Sequence, residues 1–487
     1  MSTQATISQL QQFREELYQL LPARPDALLD LLDALSSSPN ARSVVELSLS
    51  PLFRREYSSV SDAIDNFFQA SSPGKGDEER LAWDREVARL IGRYLPTPQG
   101  RKFCLLGTDG VSIARPFAQT LPDRTFVYQP NPVAGNKPVT IGHQYSVVAF
   151  LPEKVHADDP PWVVPLLVRR VRSEEKATRV GAEQLTALLE DEQQPFHGAL
   201  CVHVADSTYS AVDYLGRMRQ HRNLVCVTRL AENRIFYRPF PVEPKEVGRG
   251  HPHWYGAPFD LKDPTTWGPA DETAETTFTT KQGRTYRVQL QGGHNLLMRG
   301  KHDLPMHRYP FTLIRAVVLD EQGQPVFRRA LWLMVLGERR GELSLVEAWK
   351  AYRQRYDLDH YFRFGKQRLL MAAYQTPGVE HEENWLALVQ LAMVQLWLAR
   401  EKVGRQLRPW ERYLPKPGTG VAAASQVQRD WERIIGQIGT PAKLPKRRGK
   451  SSGRAKGTQA GRRPRQPVVK KPSKSRKTAS LSAQMVC

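Results

Sequence analysis

The chain has 487 residues, with 70 Lys+Arg against 50 Asp+Glu and a formal net charge of +20. That length predicts roughly two to four domains, and 40% hydrophobic with 25% charged residues is the make-up of a folded protein. No run reaches the roughly 18–20 apolar residues of a membrane span, and the start MSTQATISQLQQFREEL lacks the basic and apolar segments of a secretory signal, so neither a membrane nor a secreted protein is expected.

Residues 1–95 read as helical, with Leu10, Phe13, Leu17 and Leu20 at helical spacing and Leu28, Leu31, Leu32 and Leu35 repeating it. The period then changes. Phe103–Leu106, Thr125–Tyr128, Tyr145–Leu151 and Trp162–Val168 are short β-branched or aromatic runs bounded by turn residues. A helix is predicted at about 180–191, a strand at Ala199–Ala205, a helix at about 210–221 and a strand at Leu224–Arg229. Residues 238–310 are irregular, with a hairpin predicted at 276–292. Strands return at Pro310–Leu319 and Phe327–Leu336 around the turn DEQGQ, and helices dominate from 343 to about 405. This order predicts an α/β core with an insertion before its final helix.

The charge is unevenly spread. Residues 441–487 hold 8 Lys and 7 Arg and no acid, leaving 55 basic against 50 acidic groups in 1–440. The first 100 residues carry 10 basic and 14 acidic side chains, which argues against a broadly basic DNA-binding domain there. The tail is rich in Gly, Pro, Ser, Lys and Arg, so it is expected to be disordered yet able to neutralise phosphates. Cys104, Cys201 and Cys226 sit in apolar runs, Cys487 is last, and no CxxC pair signals a zinc ribbon or disulfide framework. They are expected to be small buried hydrophobes.

Two acids end apolar strands in this reading: Asp109 closes FCLLGTD and Asp206 closes ALCVHVAD. A carboxylate at a sheet rim among small residues can meet a second one and hold a hard cation, although strand ends favour Asp in any case. In LVEAWKAYRQRYDLDHYFRFGKQRLLM, Tyr352, Arg355, Asp359 and Lys366 stand at offsets that fall near 0°, 300°, 340° and 320° at about 100° per residue. Asp357 points away, near 140° on the same count. The stripe suits a solvated face with salt-bridge spacing, and equally an acid that binds a metal beside cations that take phosphate oxygens.

The spacing Tyr352-x2-Arg355-x3-Asp359-x6-Lys366 resembles the Tyr-x2-Arg-x3-Glu-x6-Lys signature of a large class of DDE transposases from bacterial insertion sequences, with Asp in place of Glu. LGTDG at 106–110 and VADSTYSAVDYLGRM at 204–218 fit the first two acids by context. The likeness spans roughly residues 100–375, and LRPWERYLP at 407–415 resembles the end of such chains. It implies a ribonuclease-H-like core at 99–375 with a β-rich insertion at about 232–325. A helical N-terminal region at 1–98 for DNA-end binding, a C-terminal helical region at 376–440 and the basic tail at 441–487 would flank it. It further implies a transposase that cuts and joins DNA at the ends of its own element, working as a homodimer on double-stranded DNA in the bacterial cytoplasm, at the nucleoid. Asp109, Asp206 and Asp359 would hold two Mg²⁺ ions, with Mn²⁺ a substitute, and Tyr352, Arg355 and Lys366 would contact DNA. A catalytically inactive derivative that only binds DNA is the alternative. Asp359 stops roughly 1.5 Å short of where a Glu carboxylate would reach, about one C–C bond, so the helix sits closer, coordination is weaker, or activity is lost.

Other candidates are weaker. Arg54 and Arg55, beside serines and a Tyr, form a plausible phosphate-contacting piece. His251 and His253 suggest no third ligand, Asp158–Asp159 read as a surface turn, and Asp213 is the runner-up for the second acid. Glu347 lies too far around the helix to replace Asp359. Trp349 and Trp254 are open choices for an aromatic that stacks a flipped base. No GxxxxGK[ST] loop is present, so nothing supports ATP use.

Overall fold

The leucine-rich start folds as predicted into helices α1 (Thr3–Leu20), α2 (Pro25–Ser37), α3 (Ser58–Asp65) and α4 (Gly76–Gly92). The structure, a computed structural model, describes residues 3–68, 75–129, 138–156, 159–241, 254–280, 282–401, 421–446, 453, 455–459 and 461–470. His251, His253, Asp158, Cys487 and the 407–415 stretch lie outside the described residues.

Strands β1 (Cys104–Ala114), β2 (Thr125–Tyr128), β3 (Val139–Phe150) and β4 (Val164–Val171) follow, then α5 (Ala177–Leu189), β5 (Cys201–Ala205), α6 (Val212–Met218) and β6 (Leu224–Arg229). Next come β7 (Ile235–Pro239), β8 (Tyr255–Asp260), β9 (Glu272–Thr279), β10 (Thr285–Leu296), β11 (Phe311–Leu319) and β12 (Leu331–Leu336). The chain then forms α7 (Leu345–Gln354), α8 (Tyr356–Arg368), α9 (Val379–Leu398) and α10 (Ala424–Ile438). The protein is a mixed α/β structure around one large mixed sheet.

That sheet runs β2-β3-β1-β5-β6-β12-β11-β10-β9, with β4 pairing the second half of β3 on the edge where β2 pairs the first. The pairs β1–β5 and β5–β6 are parallel and the others antiparallel. Helices cross between the parallel strands, as such connections require. The strands of the expected insertion do not form a separate body. β12 pairs β6 directly and β11, β10 and β9 build outward from it, so β12 at 331–336 lies past the expected boundary near 325. Only β7 and β8 make a ribbon of their own.

The helices at the two ends of the chain form one layer. α9 is buried on every side from Asn384 to Leu398, mostly by apolar residues, and packs between β4 and the group α1, α2, α3 and α10. Buried Arg14 pairs with Asp33 at 2.6 Å and also donates to Gln395 Oε1 on α9 at 3.0 Å. The expected regions 1–98 and 376–440 therefore share a core.

A second buried polar group ties α9 to the sheet. Glu382 accepts from Arg115 Nε at 2.6 Å and from the Tyr145 hydroxyl at 2.9 Å, with His143 Nδ1 at 2.7 Å. Burial opposes its ionisation, but these partners outweigh it and hold its carboxyl below the usual range. Cys201 and Cys226 are buried free thiols, and Cys104 is partly buried. Among the described residues no helix is long and apolar enough to cross a membrane.

Two stretches of the tail are not structureless. Ala442 is buried, and the 442 and 443 carbonyls accept from Arg54 at 2.9 Å and Arg55 at 2.8 Å. Residues 466–469 hydrogen-bond to residues 119–124 beside β2. Main-chain pairing needs no apolar pattern, which is why composition missed it.

Candidate active site

Gly107, Thr108, Asp109 and Gly110 look like a strand ending in a turn, but β3 pairs with β1 through to Ala114 and carries the strand on. Asp109 is thus mid-strand, opposite Val147, and does not end β1 as its flanking glycines suggest. What ends at this level is the parallel partner. Thr108 aligns with Ala205 at the end of β5, and Ala205 with Thr228 in β6. The next residue of each strand brings Asp109, Asp206 and Arg229 into a row across three strands about 4.8 Å apart.

Helices α7 and α8 cover this row, α7 on β5 and β6 and α8 on β1. They are not the single straight helix that the sequence spacing assumed. Arg355 separates them, its N–H bonding to Tyr352 O at 3.0 Å and its carbonyl accepting from Leu358 N at 3.0 Å, a tightened turn. Tyr352 therefore belongs to α7, Asp359 and Lys366 to α8, and Arg355 to the joint.

The joint delivers Arg355 into the acids. Its Nη1 lies 2.6 Å from Asp109 Oδ2 and its Nη2 is 3.6 Å from Asp359 Oδ2. Burial pushes the Asp109 carboxyl up to about 6; Arg355 and the Gly110 N–H at 2.7 Å oppose that rise, while the negative charges of Asp206 and Asp359 add to it. Burial works against the Arg355 charge, but Asp109, Tyr352, Asp359 and Asp206 together hold its pKa above the ordinary value. Asp109 and Asp359 thus meet at one guanidinium, with Asp206 next to Asp109 in the row. Asp206 also caps the short turn after β5, accepting from Thr208 N at 2.9 Å.

Buried Tyr352 has its hydroxyl pKa raised by burial, with Arg355 and Arg229 opposing. Arg229 went unnoticed as a site residue. Its signal was in the sequence, as the last residue of an apolar strand following the one that ends at Asp206. Lys366 is exposed two turns along α8 and makes no ion pair or hydrogen bond among the described residues.

α8 sits close to β1 because Gly107 has no side chain. A Cβ there would meet Leu358 Cδ1 at 3.0 Å and Leu151 Cδ1 at 3.2 Å, tighter than ordinary carbon contact. Gly107 and Asp109 share a face of β1, so the glycine lets α8 sit close to the strand that carries Asp109.

The other candidates have structural jobs. Arg54 and Arg55 both clamp buried Asp30, at 2.6 and 3.0 Å, and reach the 442–443 carbonyls, so their donors are engaged within the fold. Asp213 pairs with Lys301 and, at 3.4 Å, with Lys176. Glu347 completes the capping box of α7 with Ser344, and Asp357, pointing away as the spacing predicts, pairs with Lys154 at 2.8 Å. Trp349 is buried beneath Arg353 and Phe278, while Trp254 stacks on His307 at 4.2 Å.

Among the described residues no three His, Cys, Asp or Glu side chains stand close enough to hold a metal ion as they are. The donor set nevertheless fits one: three carboxylates suit hard divalent cations, and the positive charge they require is present as the Arg355 guanidinium. A family profile described as DDE superfamily endonuclease matches residues 16–295, which includes Asp109 and Asp206 and ends before α7 and α8. No curated protein matched the chain. With more than half its length matched and two acids of the cluster inside the matched region, the chain belongs to the DDE superfamily endonucleases.

Proposed function

We propose that this protein is a DNA transposase that cleaves and joins DNA at the ends of its own insertion sequence. The observation that carries the reading is that Asp109 and Asp359 meet at the Arg355 guanidinium beneath the joint of α7 and α8, with Asp206 following Ala205 in register beside Asp109. The strand order β4-β3-β1-β5-β6, three antiparallel strands followed by two parallel ones, supports a ribonuclease-H-like core at about 99–375.

Asp109, Asp206 and Asp359 would hold two Mg²⁺ ions, with Mn²⁺ a substitute, and Arg355 would turn from Asp109 to a nonbridging phosphate oxygen. When bound, the ions supply an activated water or 3′-hydroxyl and a stabilised leaving oxygen for in-line displacement at phosphorus. Tyr352 and Arg229 line the same centre and orient the scissile strand, and exposed Lys366 takes a neighbouring phosphate. Because two ends must be brought together, a homodimer on double-stranded DNA is the working unit.

The test is a duplex carrying the element's terminal repeats, incubated with protein and Mg²⁺ or Mn²⁺. Metal-dependent nicking at the end, followed by joining to a second duplex, supports the reading. Binding without nicking in either metal favours an inactive, DNA-binding derivative. That second reading has its own support in the 2.6 Å Arg355–Asp109 pair and the Asp at position 359.

A further inference from the structure

The basic tail returns to the sheet. In GRRPRQPVVK at 461–470, Gln466 N–H donates to Gln119 O at 2.8 Å and Val469 N–H to Arg124 O at 2.7 Å. The buried Arg124 guanidinium donates to Gln466 O at 3.1 Å, and Val469 bridges Thr125 in parallel. The segment thus lies along the chain that leads into β2 and bridges its first residue, a short form of the edge pairing by which sheets capture peptides. Its side chains face outward. Arg462, Arg463, Arg465 and Lys470 are all exposed, and none makes an ion pair among the described residues.

Register locates this row relative to the acids. Ala114, Gly142, Thr125 and Val469 are aligned across β1, β3, β2 and the tail. Three strand spacings of about 4.8 Å separate Val469 from Ala114, and five residues of about 3.3 Å separate Ala114 from Asp109. Val469, with Lys470 beside it, therefore stands about 22 Å from Asp109, or about six steps of 3.4 Å along a duplex, and the arginines lie upstream of it along the segment.

We propose that residues 462–470 are a docked cationic segment that grips the backbone of duplex DNA, with its Lys470 end about six base pairs from the phosphodiester at Asp109. The proposal rests on the reading that this centre acts on DNA. A floating polycation must be ordered at the moment of binding, whereas main-chain pairing orders this row beforehand and reduces that cost. Edge pairing also explains how a segment with few apolar residues acquires a fixed position.

Two full-length variants separate the docked strand from a loose charged tail. Gln466→Pro with Val469→Pro removes both N–H donors and keeps every charge; Arg462, Arg463, Arg465 and Lys470→Gln removes four charges and keeps the donors. Binding to a fluorescent duplex is measured against salt. Each lost phosphate contact lowers the log–log slope by about 0.9, so four lower it by about 3.5, roughly a hundredfold smaller affinity loss over a fourfold rise in salt. The glutamine variant is expected to lose that slope, the proline variant to bind more weakly at every salt concentration with its slope largely kept, and both to shorten or blur the hydroxyl-radical footprint on one side of the cleavage point. A proline variant with the wild-type affinity and footprint overturns the proposal, as does a glutamine variant with an unchanged slope. So do random-coil exchange rates for the 466 and 469 amides in the wild-type complex. If the duplex is bound with these slopes but never cut, the transposase reading fails while the docked strand stands. If the duplex is cut and the slopes are insensitive, the reverse holds.

Discussion

Gly107 is where the account can be pressed hardest by one small change. An alanine Cβ at this site would lie 3.0 Å from Leu358 Cδ1 and 3.2 Å from Leu151 Cδ1. Such a contact is tighter than ordinary carbon packing, so the Leu358 side chain must give by a few tenths of an ångström, carrying α8 with it as far as the leucine cannot turn aside. Overpacking of this kind costs about 1–3 kcal/mol, partly offset by the ~0.5–1 kcal/mol gained on replacing a strand glycine. The larger effect falls on Asp359, which rides on the same helix and whose side chain is one methylene short of the Glu in the family signature. A misplacement of about 1 Å at a reacting centre can cost about 100-fold in rate, so a shift of a few tenths of that is expected to make Gly107→Ala slow metal-dependent end cleavage by roughly 3- to 10-fold at saturating DNA, with binding unchanged. Adding Asp359→Glu should recover part of that loss, because the longer side chain spans the widened gap. The assay is single-turnover nicking of an end duplex, with thermal melting to confirm folding. Gly107→Ala that cleaves at the wild-type rate, or a double variant slower than the single, would refute the argument that the glycine seats the third acid.

Further predictions concern the groups that hold this frame. Replacing Arg54 and Arg55 by Gln leaves Asp30 buried without its cations, which should cost about 3–5 kcal/mol and lower the melting temperature, while the salt dependence of DNA binding stays as in wild type. A reduced salt slope would return these arginines to the DNA surface. Glu382→Gln should destabilise the protein at neutral pH by a similar ~3–5 kcal/mol for breaking a buried pair. Because the folded protein holds the Glu382 carboxyl below its ordinary value, its contribution is complete above about pH 4.3 and fades as the pH falls through the folded value. The melting gap between wild type and variant should therefore close in acid, and a gap constant with pH would contradict that.

Much of the frame was legible because it is written in local periodicity. The apolar stripes of α1 and α2, the alternating hairpin β9–β10 and the apolar runs of β5 and β6 each declare themselves within a dozen residues. What periodicity cannot carry is pairing. Nothing in the sequence of β12 says that it joins β6, and nothing in GRRPRQPVVK says that its amides reach β2. The site was legible as residue types at spacings, but its geometry depends on two local departures. β1 runs on past Asp109 because β3 supplies partners as far as Ala114, and the helix breaks at Arg355 and turns that side chain onto Asp109. The Arg54–Arg55 clamp had a readable cue in Asp30, an acid inside the leucine run of α2 that demands a buried partner.

The central claim is that Asp109, Asp206 and Asp359 act together as the metal-binding centre of a DNA-cutting enzyme. The most direct measurement is cleavage of an end duplex across a Mg²⁺ and Mn²⁺ titration by wild type and by the Asp109→Asn, Asp206→Asn and Asp359→Asn proteins, with DNA binding measured alongside. The account predicts that wild type cuts only with added metal, and that each Asn variant binds the duplex but cuts it at least about 100-fold more slowly, the scale on which single catalytic groups act. Metal-dependent cleavage that survives Asp359→Asn would contradict it.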